Sequence, residues 1–289
     1  MISKLILGTA QFGLKYGINN TIGKLNKDEV LSLLKVAYNS GIRLLDTAEA
    51  YGNAHQLIGN YHKKQDDFKF KIITKFPHQI KHNLIKSKVL EYLDIMHVKT
   101  LDVIMFHSFD SFQSNYNSLD TLNELKSDGL IKNIGVSVYT NAQLKSLLNE
   151  DLITVVQLPF NLLDNFNVRG DLINQLKIKG KVIHTRSAFL QGLFFKKSSN
   201  YIWIVQALKP HLKTLNKIVK KQGCSMEELA LSYCIKEKNI DNVIIGVDSI
   251  SQLNANIKAA AYEVNEEALN CINNINVENL DLLNPSLWK

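Results

Sequence analysis

The stretch Lys71-Ile72-Ile73-Thr74-Lys75 is a short apolar run, and a similar run, Leu101-Asp102-Val103-Ile104-Met105-Phe106-His107, follows it after an amphipathic segment, Ile85–Met96. Runs of this length, nearly uniformly apolar, are typical of strands that are buried on both faces. The segment between them has the apolar spacing of a helix. A strand, a helix and a second strand in this order predict parallel strands joined by a right-handed crossover.

The same alternation extends along the whole sequence. The predicted strands are Lys4–Gly8, Ile42–Asp46, Lys71–Lys75, Leu101–His107, Ile134–Val138, Thr154–Leu158, Val182–Ser187 and Val243–Gly246. The predicted helices are Lys27–Ser40, Ala54–Tyr61, Ile85–Met96, Leu119–Asp128, Asn141–Leu148, Asp171–Lys179, Trp203–Lys221, Met226–Lys236, Ser251–Ala261 and Glu266–Ile275. Eight strand–helix units in 289 residues fit a closed barrel better than the alternative, an open doubly wound sheet. We therefore predict an α/β fold, a single (β/α)8 TIM barrel domain over residues 1–289 with an extra C-terminal helix.

Composition excludes several classes of protein. Hydrophobic residues make up 45% of the sequence, charged residues 21%, and there are only four prolines, which excludes a disordered or fibrous chain. The net charge of +7 permits an anionic partner without requiring one. The cysteines are far apart, at Cys224, Cys234 and Cys271, which predicts a reduced chain without disulfides or a thiolate metal site.

Sequence patterns also bear on location and partners. The apolar run at Met1–Gly8 is too short for a signal peptide, and no stretch has the ~18 apolar residues of a membrane helix. We expect a cytoplasmic protein with no membrane partner. The lysine-rich face within 209–221 lacks interleaved aromatic residues, so no nucleic-acid partner is predicted. His78 and His82 have helical spacing but lack a third ligand, so no metal site is predicted.

Polar residues collect at the carboxyl ends of the predicted strands, where a barrel places its chemistry. Asp46, Lys75 and His107 end the second, third and fourth strands, and Tyr51 follows Asp46 in its loop. A buried lysine needs a partner, and Asp46 on the neighbouring strand is the natural one. Lys75 beside Tyr51 is then expected to lower the pKa of Tyr51 from about 10, so that Tyr51 donates a proton to a carbonyl near neutral pH. Each residue alone also fits a purely structural role.

The segment Leu45–Gly52 resembles the D-T-A-x-x-Y-G signature of the aldo-keto reductase superfamily. Ile73-Thr74-Lys75 and Phe106-His107 are similar to the lysine and histidine motifs of that family, in the same order. Further similar stretches are Ile134–Ser137, Gln157–Asn161, Gln191–Leu193 and Ile244–Ser249 with Gln252 and Asn256. The resemblance covers about residues 3–261. Arg186–Gly192 is also similar to bacterial reductases associated with surface-polysaccharide sugars.

The resemblance implies a barrel that transfers hydride between NADP(H) and an aldehyde, ketone or sugar carbonyl. Tyr51 would be the general acid and base, Asp46 and Lys75 would tune it, and His107 would position the carbonyl. The residues implied in cofactor binding are Gly8, Thr9, Asp46, Ser137, Gln157, Arg186, Ser187, Gln191, Gly192, Leu193, Gly246, Asp248, Gln252 and Asn256. From the sequence itself, Phe12, Tyr16 and Phe160, with Tyr51, are predicted to form an apolar substrate wall. Lys196 and Lys197 fit either a solvated loop or a preference for a phosphorylated, acidic or nucleotide-linked sugar.

Departures from the family pattern leave several points open. Val138 stands where many members have Asn, and Arg186 where many have a Tyr that stacks on the nicotinamide. Asp248 offers an acid where a base often holds the 2′-phosphate, so NAD(H) stays an alternative to NADP(H). The sequence has no GxGxxG motif, which argues against a Rossmann site.

Two other functions remain as alternatives. One is a lyase that forms a Schiff base on Lys75, and the other is a non-catalytic barrel that senses nucleotides. The substrate, the direction of the reaction and the choice between a monomer and a homo-oligomer also stay open.

Overall fold

In the computed structural model, which describes residues 1–65, 68–196 and 202–288, eight parallel strands form a closed barrel. The strands are β1 Leu5–Gly8, β2 Leu44–Asp46, β3 Lys71–Lys75, β4 Leu101–Phe106, β5 Ile131–Ser137, β6 Ile153–Pro159, β7 Val182–Arg186 and β8 Asn242–Gly246. Each strand pairs with the next, and β8 pairs with β1 to close the barrel. The predicted (β/α)8 fold is confirmed.

Helices connect successive strands. They are α1 Ala10–Gly13, α2 Lys27–Asn39, α3 Ala54–Lys63, α4 Ile85–Ile95, α5 Phe109–Ser114, α6 Leu119–Ser127, α7 Asn141–Ser146, α8 Phe166–Ile178, α9 Trp203–Ala207, α10 Lys209–Gln222, α11 Met226–Lys236, α12 Ile250–Ala259 and α13 Glu266–Asn273. Short 3-10 turns lie at Ile2–Lys4, His82–Leu84, Tyr116–Ser118, Leu190–Phe195, Leu280–Leu283 and Pro285–Leu287. The helix predicted after the barrel is α13. Within the described ranges, no helix combines the length and the apolar character needed to cross a bilayer.

Local sequence signals explain where several helices begin. In α2 the side chain of Asn26 accepts hydrogen bonds from the first turn, and the Glu29 carboxylate accepts one from the backbone N–H of Asn26. The same reciprocal capping box opens α11, between Ser225 and Glu228. Such caps satisfy backbone N–H groups that have no partner within the helix, and they fix where each helix begins.

The core has two layers. One cluster, Ile6, Ile73, Val103, Met105 and Val155, comes from strands alone and is fully buried. Because side chains of a strand alternate between its two faces, this cluster is the filling of the barrel interior. The larger cluster joins the outer faces of the strands to the helices. Apolar side chains of these described strands therefore fill the interior of the barrel and leave no open channel along its axis, so we expect the site at a rim.

Register brings the polar strand ends to one rim. Gly8 at the end of β1 lies opposite Asp46 on one side and Gly246 on the other. Ser137 lies opposite Gln157 where β5 and β6 end. Because all strands are parallel, their carboxyl ends share this rim, and the residues selected from the sequence become neighbours.

Some predicted boundaries are wrong. Trp203–Lys221 is not one helix: α9 ends and α10 begins at Leu208, because Pro210 lacks a backbone N–H and suits the start of a new helix. β5 begins at Ile131, three residues early, and α8 at Phe166, five residues early. β4 ends at Phe106, so His107 lies in the loop that follows, before an unpredicted helix, α5.

Candidate active site

Asp46 is held by both of its carboxylate oxygens. Lys75 Nζ donates to Oδ1 at 2.6 Å, and Gln157 Nε2 donates to Oδ2 at 2.8 Å. Lys75 also donates to the backbone oxygen of Thr47 at 3.2 Å. The ion pair is buried, with 1% of the Lys75 side chain and 5% of the Asp46 side chain exposed. Burial lowers the pKa of Lys75, and the Asp46 carboxylate opposes that shift.

Tyr51 and His107 adjoin this ion pair. Lys75 Nζ lies 5.5 Å from the centroid of the Tyr51 ring, and that ring meets the His107 ring edge-on at 5.8 Å. His78 stacks on His107 with ring centroids 4.4 Å apart. The structure therefore brings together the four side chains that the sequence analysis selects as catalytic, which are Asp46, Tyr51, Lys75 and His107.

The expected direction of the Tyr51 pKa shift is wrong for this geometry. Burial and, after it, the Asp46 carboxylate raise the pKa of Tyr51 well above its ordinary value of about 10. Lys75 lies within hydrogen-bond distance of Asp46 but 5.5 Å from the Tyr51 ring, so its charge is balanced by the carboxylate first. Tyr51 therefore carries its proton at neutral pH.

His107 is a neutral imidazole. Burial, and then the charge of Lys75, lower the pKa of His107 to about 3. Its Nδ1 is buried and has no hydrogen-bond partner within residues 1–65, 68–196 and 202–288. Because an unpaired buried N–H is rarer than an unpaired acceptor, we assign the proton to Nε2. His107 then has one N–H left to donate.

Close backbone packing holds the Tyr51 loop, and no sequence pattern indicated this packing. A Cβ at Gly13 of α1 would lie 1.9 Å from the backbone oxygen of Tyr51, so only glycine fits there. Gly52, which follows Tyr51 in the same loop, has a φ of 58°, and a Cβ there would lie 2.8 Å from the Gly13 backbone oxygen. Both features favour glycine at this position. This contact needs two segments that only the fold brings together.

Glu49 anchors the same loop to α4 and was also missed. Its carboxylate accepts a hydrogen bond from the Tyr92 hydroxyl and one from Lys88 Nζ at 3.2 Å. Its backbone N–H donates to the Lys75 backbone oxygen at 3.2 Å. Glu49 thus ties the loop between Asp46 and Tyr51 to the neighbouring strand and helix.

A cavity of about 400 Å³ opens at this rim, from Tyr51 across β1 to β8 and α12. The predicted cofactor residues that line it are Gly8, Thr9, Asp46, Gln157, Arg186, Ser187, Gln191, Gly192, Gly246, Asp248, Gln252 and Asn256. Ser137 and Leu193, which the resemblance also implies, are buried and are not among the described residues that line the cavity. The cavity therefore collects most of the set that the resemblance implies.

The segment after β7 has an unusual backbone. Ser187, Leu190, Gln191 and Gly192 all have φ between 46° and 89°. Residues other than glycine rarely adopt this left-handed region, and such strain persists mainly where a ligand site requires it. Three of the four line the cavity, so this segment is shaped toward it.

Arg186 brings a cation to the cavity. Its guanidinium carbon lies 4.0 Å from the centroid of the Tyr139 ring, and its Nη2 donates to the Val138 backbone oxygen at 3.1 Å. Among the lining residues of the described chain, Arg186 is the only lysine or arginine. The cation therefore stands at the β7 side of the cavity, close enough to Tyr51 to affect its pKa.

The predicted substrate wall is only partly present. Tyr16 lines the cavity, and its hydroxyl accepts a hydrogen bond from Gln191 at 3.1 Å. Phe12 and Phe160 do not line it, because both are fully buried in the core. The Phe160 ring stacks on Tyr233 of α11 at 5.3 Å, which turns it to the helix layer.

Two further sequence patterns lie away from the cavity lining. Lys196 is half-buried, and Lys197 lies outside the described residues. His82 Nδ1 lies 2.7 Å from Ser118 Oγ, while His78 stacks on His107. In the described part of the chain, no group of three or more His, Cys, Asp or Glu side chains is placed to hold a metal ion.

Comparisons with known proteins show the family to which this chain belongs. The profile of the aldo/keto reductase family matches residues 4–277. L-galactose dehydrogenase of Arabidopsis thaliana is 24% identical over 279 residues, 84% of this chain and 81% of that protein. The NADH-specific methylglyoxal reductase of Escherichia coli strain K12 is 23% identical over 298 residues, 89% and 90% of the two chains.

A solved structure supports the fold. The aldo-keto reductase from Bacillus halodurans in its holo form superposes with a TM-score of 0.79, at 20% identity, over 96% of this chain and 93% of that one. The family profile spans nearly the whole sequence, and the chain belongs to the aldo/keto reductase family.

Proposed function

We propose that this chain reduces the carbonyl of a small aldehyde, ketone or sugar, with Tyr51 as the acid that protonates the carbonyl oxygen. Family membership makes the protein an NAD(P)H-dependent oxidoreductase. The observation that carries the proposal is a protonated Tyr51 on the cavity wall, beside the buried Asp46–Lys75 pair. Tyrosine near a buried cation is suited to give up a proton where negative charge develops.

The cavity fits a nicotinamide dinucleotide, which supplies the hydride when bound. Gly8 and Thr9 form its floor beside Asp46, and a Cβ at Gly8 would meet Ile244 at 3.1 Å. The left-handed segment at 187–192 would hold the pyrophosphate, since strained backbone of this kind serves ligand sites. We assign Asp248, Gln252 and Asn256 to the adenosine end, because Tyr51 fixes the reacting end.

The neighbouring groups support proton transfer from Tyr51. As the carbonyl carbon accepts hydride, its oxygen gains negative charge and takes the Tyr51 proton. The phenolate left behind lies near the Lys75 ammonium, 5.5 Å from the ring centroid, which stabilises it. His107 Nε2–H would donate a hydrogen bond to the same oxygen and orient it. In oxidation the proton returns to Tyr51.

A Schiff base on Lys75 has less support. Burial lowers the pKa of Lys75, which would favour a nucleophilic amine, but its Nζ is bound to Asp46 and Thr47. Only 1% of its side chain is exposed, and it is not part of the described cavity lining. Borohydride trapping of substrate on Lys75 would overturn the reductase proposal.

The test is Tyr51→Phe, assayed with NADH and NADPH against methylglyoxal, pyridoxal and free sugars. These carbonyls follow the names of the relatives, which include a pyridoxal reductase of Arabidopsis thaliana that is 25% identical over 281 residues, 84% of this chain and 75% of that protein. We expect kcat to fall about 10²–10⁴-fold while the dinucleotide still binds, since only the proton donor is lost. Tyr16→Phe is the control, because it removes a hydroxyl from the same cavity wall.

Three outcomes are decisive. Activity that survives in Tyr51→Phe contradicts the assigned acid. Wild-type protein that binds dinucleotide yet reduces no carbonyl supports the nucleotide-sensing alternative. Loss in Tyr51→Phe with near-normal kcat in Tyr16→Phe supports the proposal.

A further inference from the structure

The far end of the cavity carries negative charge. Asp248, directly after β8, and Glu227, in the first turn of α11, both line it. Asn20 Nδ2 donates to Asp248 Oδ1 at 3.1 Å, which orients that carboxylate. The only described basic lining residue, Arg186, belongs to the β7 side.

Asn256 shows that this end is built for a ligand. It lies on the buried face of α12, only 5% exposed, and lines the cavity. No described residue hydrogen-bonds its carboxamide. A carboxamide that lines the cavity with no partner among the described residues is free to hydrogen-bond a polar ligand there. Asp248 and Asn256 thus flank one polar subsite.

We infer that the chain binds NAD(H) in preference to NADP(H), because Asp248 and Glu227 line the end of the cavity where the adenosine ribose would bind. This inference rests on the proposed function, which places a dinucleotide in the cavity. A carboxylate accepts hydrogen bonds from the ribose hydroxyls of NAD(H) and repels the 2′-phosphate of NADP(H). The preference is the reverse of the one that the family resemblance favours.

The N-terminus of α12 does not offset this repulsion. Helix N-termini attract anions, but here Asp248 precedes the N-cap Ser249 and already supplies a negative charge. The Gln252 backbone N–H donates to Ser249 Oγ, and the Asp248 backbone N–H donates to Gln252 Oε1. Two of the donors that a phosphate would use are therefore already engaged.

The test measures Kd for NADH and NADPH by nicotinamide fluorescence, without substrate. We expect wild-type protein to bind NADH at least about tenfold more tightly, since a unit charge at about 4 Å in water changes a binding constant several-fold and a phosphate carries more than one. Asp248→Asn keeps the oxygen that accepts from Asn20 and removes the charge. It should tighten NADPH binding about five- to tenfold and weaken NADH binding by about two- to threefold, because the amide oxygen is a weaker acceptor for a ribose hydroxyl than the carboxylate.

Two further variants and a control complete the design. Glu227→Gln should tighten NADPH binding by about threefold, because Glu227 is half-buried and its charge is better screened. Asp248→Arg should bring NADPH binding level with NADH or beyond it, through a guanidinium–phosphate pair. Asp120→Asn, an exposed carboxylate in α6, removes the same net charge away from the cavity and should change neither Kd.

The outcomes separate the inference from the proposed function. Tighter binding of NADPH to wild-type protein, or an Asp248→Asn variant with unchanged NADPH affinity, overturns the preference and leaves the reductase assignment intact. Failure of both dinucleotides to bind overturns the two together. A wild-type preference for NADH that Asp248→Asn erases and Asp120→Asn retains supports the inference.

Discussion

Two buried ion pairs differ in what their donors do: Asp46–Lys75 lies at the carboxyl ends of β2 and β3, and Asp164–Arg169 follows the end of β6. Arg169 in α8 binds Asp164 through two nitrogens, at 2.6 and 2.9 Å. Its remaining donors reach Asn141 Oδ1 and the Tyr139 backbone oxygen, both at 2.7 Å. The guanidinium thus joins the loop after β6 to the loop after β5, and its polar atoms are engaged.

The Asp46–Lys75 pair is less completely engaged. Lys75 makes one contact to the carboxylate and one to a backbone oxygen, and Asp46 lines the cavity. The Lys75 ammonium lies 5.5 Å from the centroid of the Tyr51 ring, and in the proposed reaction it stabilises the Tyr51 phenolate without hydrogen-bonding it. The two buried pairs therefore differ in their surroundings: one joins two loops, and the other lies at the cavity beside Tyr51.

Replacement of Lys75 by Met should have the largest effect on activity. It removes the cation that stabilises the Tyr51 phenolate, and we expect kcat to fall about 10²–10⁴-fold. Lys181→Met is the matched control, because Lys181 is also buried but binds only the backbone oxygens of Glu150 and Ile153. Its loss should lower the melting temperature and leave kcat of the folded enzyme unchanged. Equal loss of kcat in both variants would contradict the special role of Lys75.

Replacement of Arg169 by Met should have the largest effect on stability. It leaves the Asp164 carboxylate buried without its partner, which destabilises proteins by about 3–5 kcal/mol. Urea unfolding measures this loss, and the kcat of the folded fraction should stay within about twofold. Arg169→Lys, which restores the charge without the two-nitrogen contact, should lose less stability. A large fall in kcat with normal stability would place this pair in the active site after all.

The sequence predicted the barrel, and it selected candidate catalytic residues that the fold brings to one rim, because both depend on local patterns. Strand periodicity and the motif around Asp46 and Tyr51 are readable along the chain, and the parallel register then brings the strand ends together. The Asp164–Arg169 pair, Gly13 and Glu49 were not predicted. Gly13 and Glu49 make contacts whose partners are brought near only by the fold. Asp164 and Arg169 are five residues apart, and that spacing carries no functional signal.

The direction of pKa shifts was equally beyond the sequence. The motif shows that Lys75 is near Tyr51, but burial and the competing contact with Asp46 decide which effect wins. The aromatic wall failed for a similar reason. Phe12 and Phe160 follow strand ends as Tyr51 does, yet both turn into the core.

The pH dependence of the two reaction directions tests the raised pKa of Tyr51. Oxidation requires the phenolate, whose fraction rises tenfold per pH unit below the pKa, so kcat/KM should rise about 100-fold from pH 7 to 9. Reduction requires protonated Tyr51 and neutral His107, whose pKa is about 3, so its rate should be flat from pH 6 to 9. A fall in the reduction rate with an apparent pKa between 7 and 8 would restore the expectation that Lys75 lowers the Tyr51 pKa.

Glu49 combines features of the two ion pairs, because it joins two segments as Arg169 does and also lies in the loop that carries Tyr51. Among the variants expected to lower kcat, its replacement should have the smallest effect. Its side chain is 32% exposed, it pairs with Lys88 at 24% exposure, and it accepts a hydrogen bond from Tyr92. Glu49→Gln weakens the anchor of the Tyr51 loop without touching the cavity. We expect kcat to fall about three- to tenfold with KM nearly unchanged, because the loop positions the acid and does not bind substrate.

Glu91 offers the matched control, because it pairs with the same Lys88 at 2.9 Å but has no contact with the loop. Glu91→Gln should leave kcat unchanged, whereas Tyr92→Phe should reproduce the loss seen in Glu49→Gln. If kcat falls equally in Glu91→Gln and Glu49→Gln, the effect comes from the charge of Lys88 and not from the loop. If kcat falls in Glu49→Gln and Tyr92→Phe but not in Glu91→Gln, the position of Tyr51 depends on the half-exposed Glu49 as well as on the buried ion pair. A charged contact then need not be fully buried to position a catalytic group.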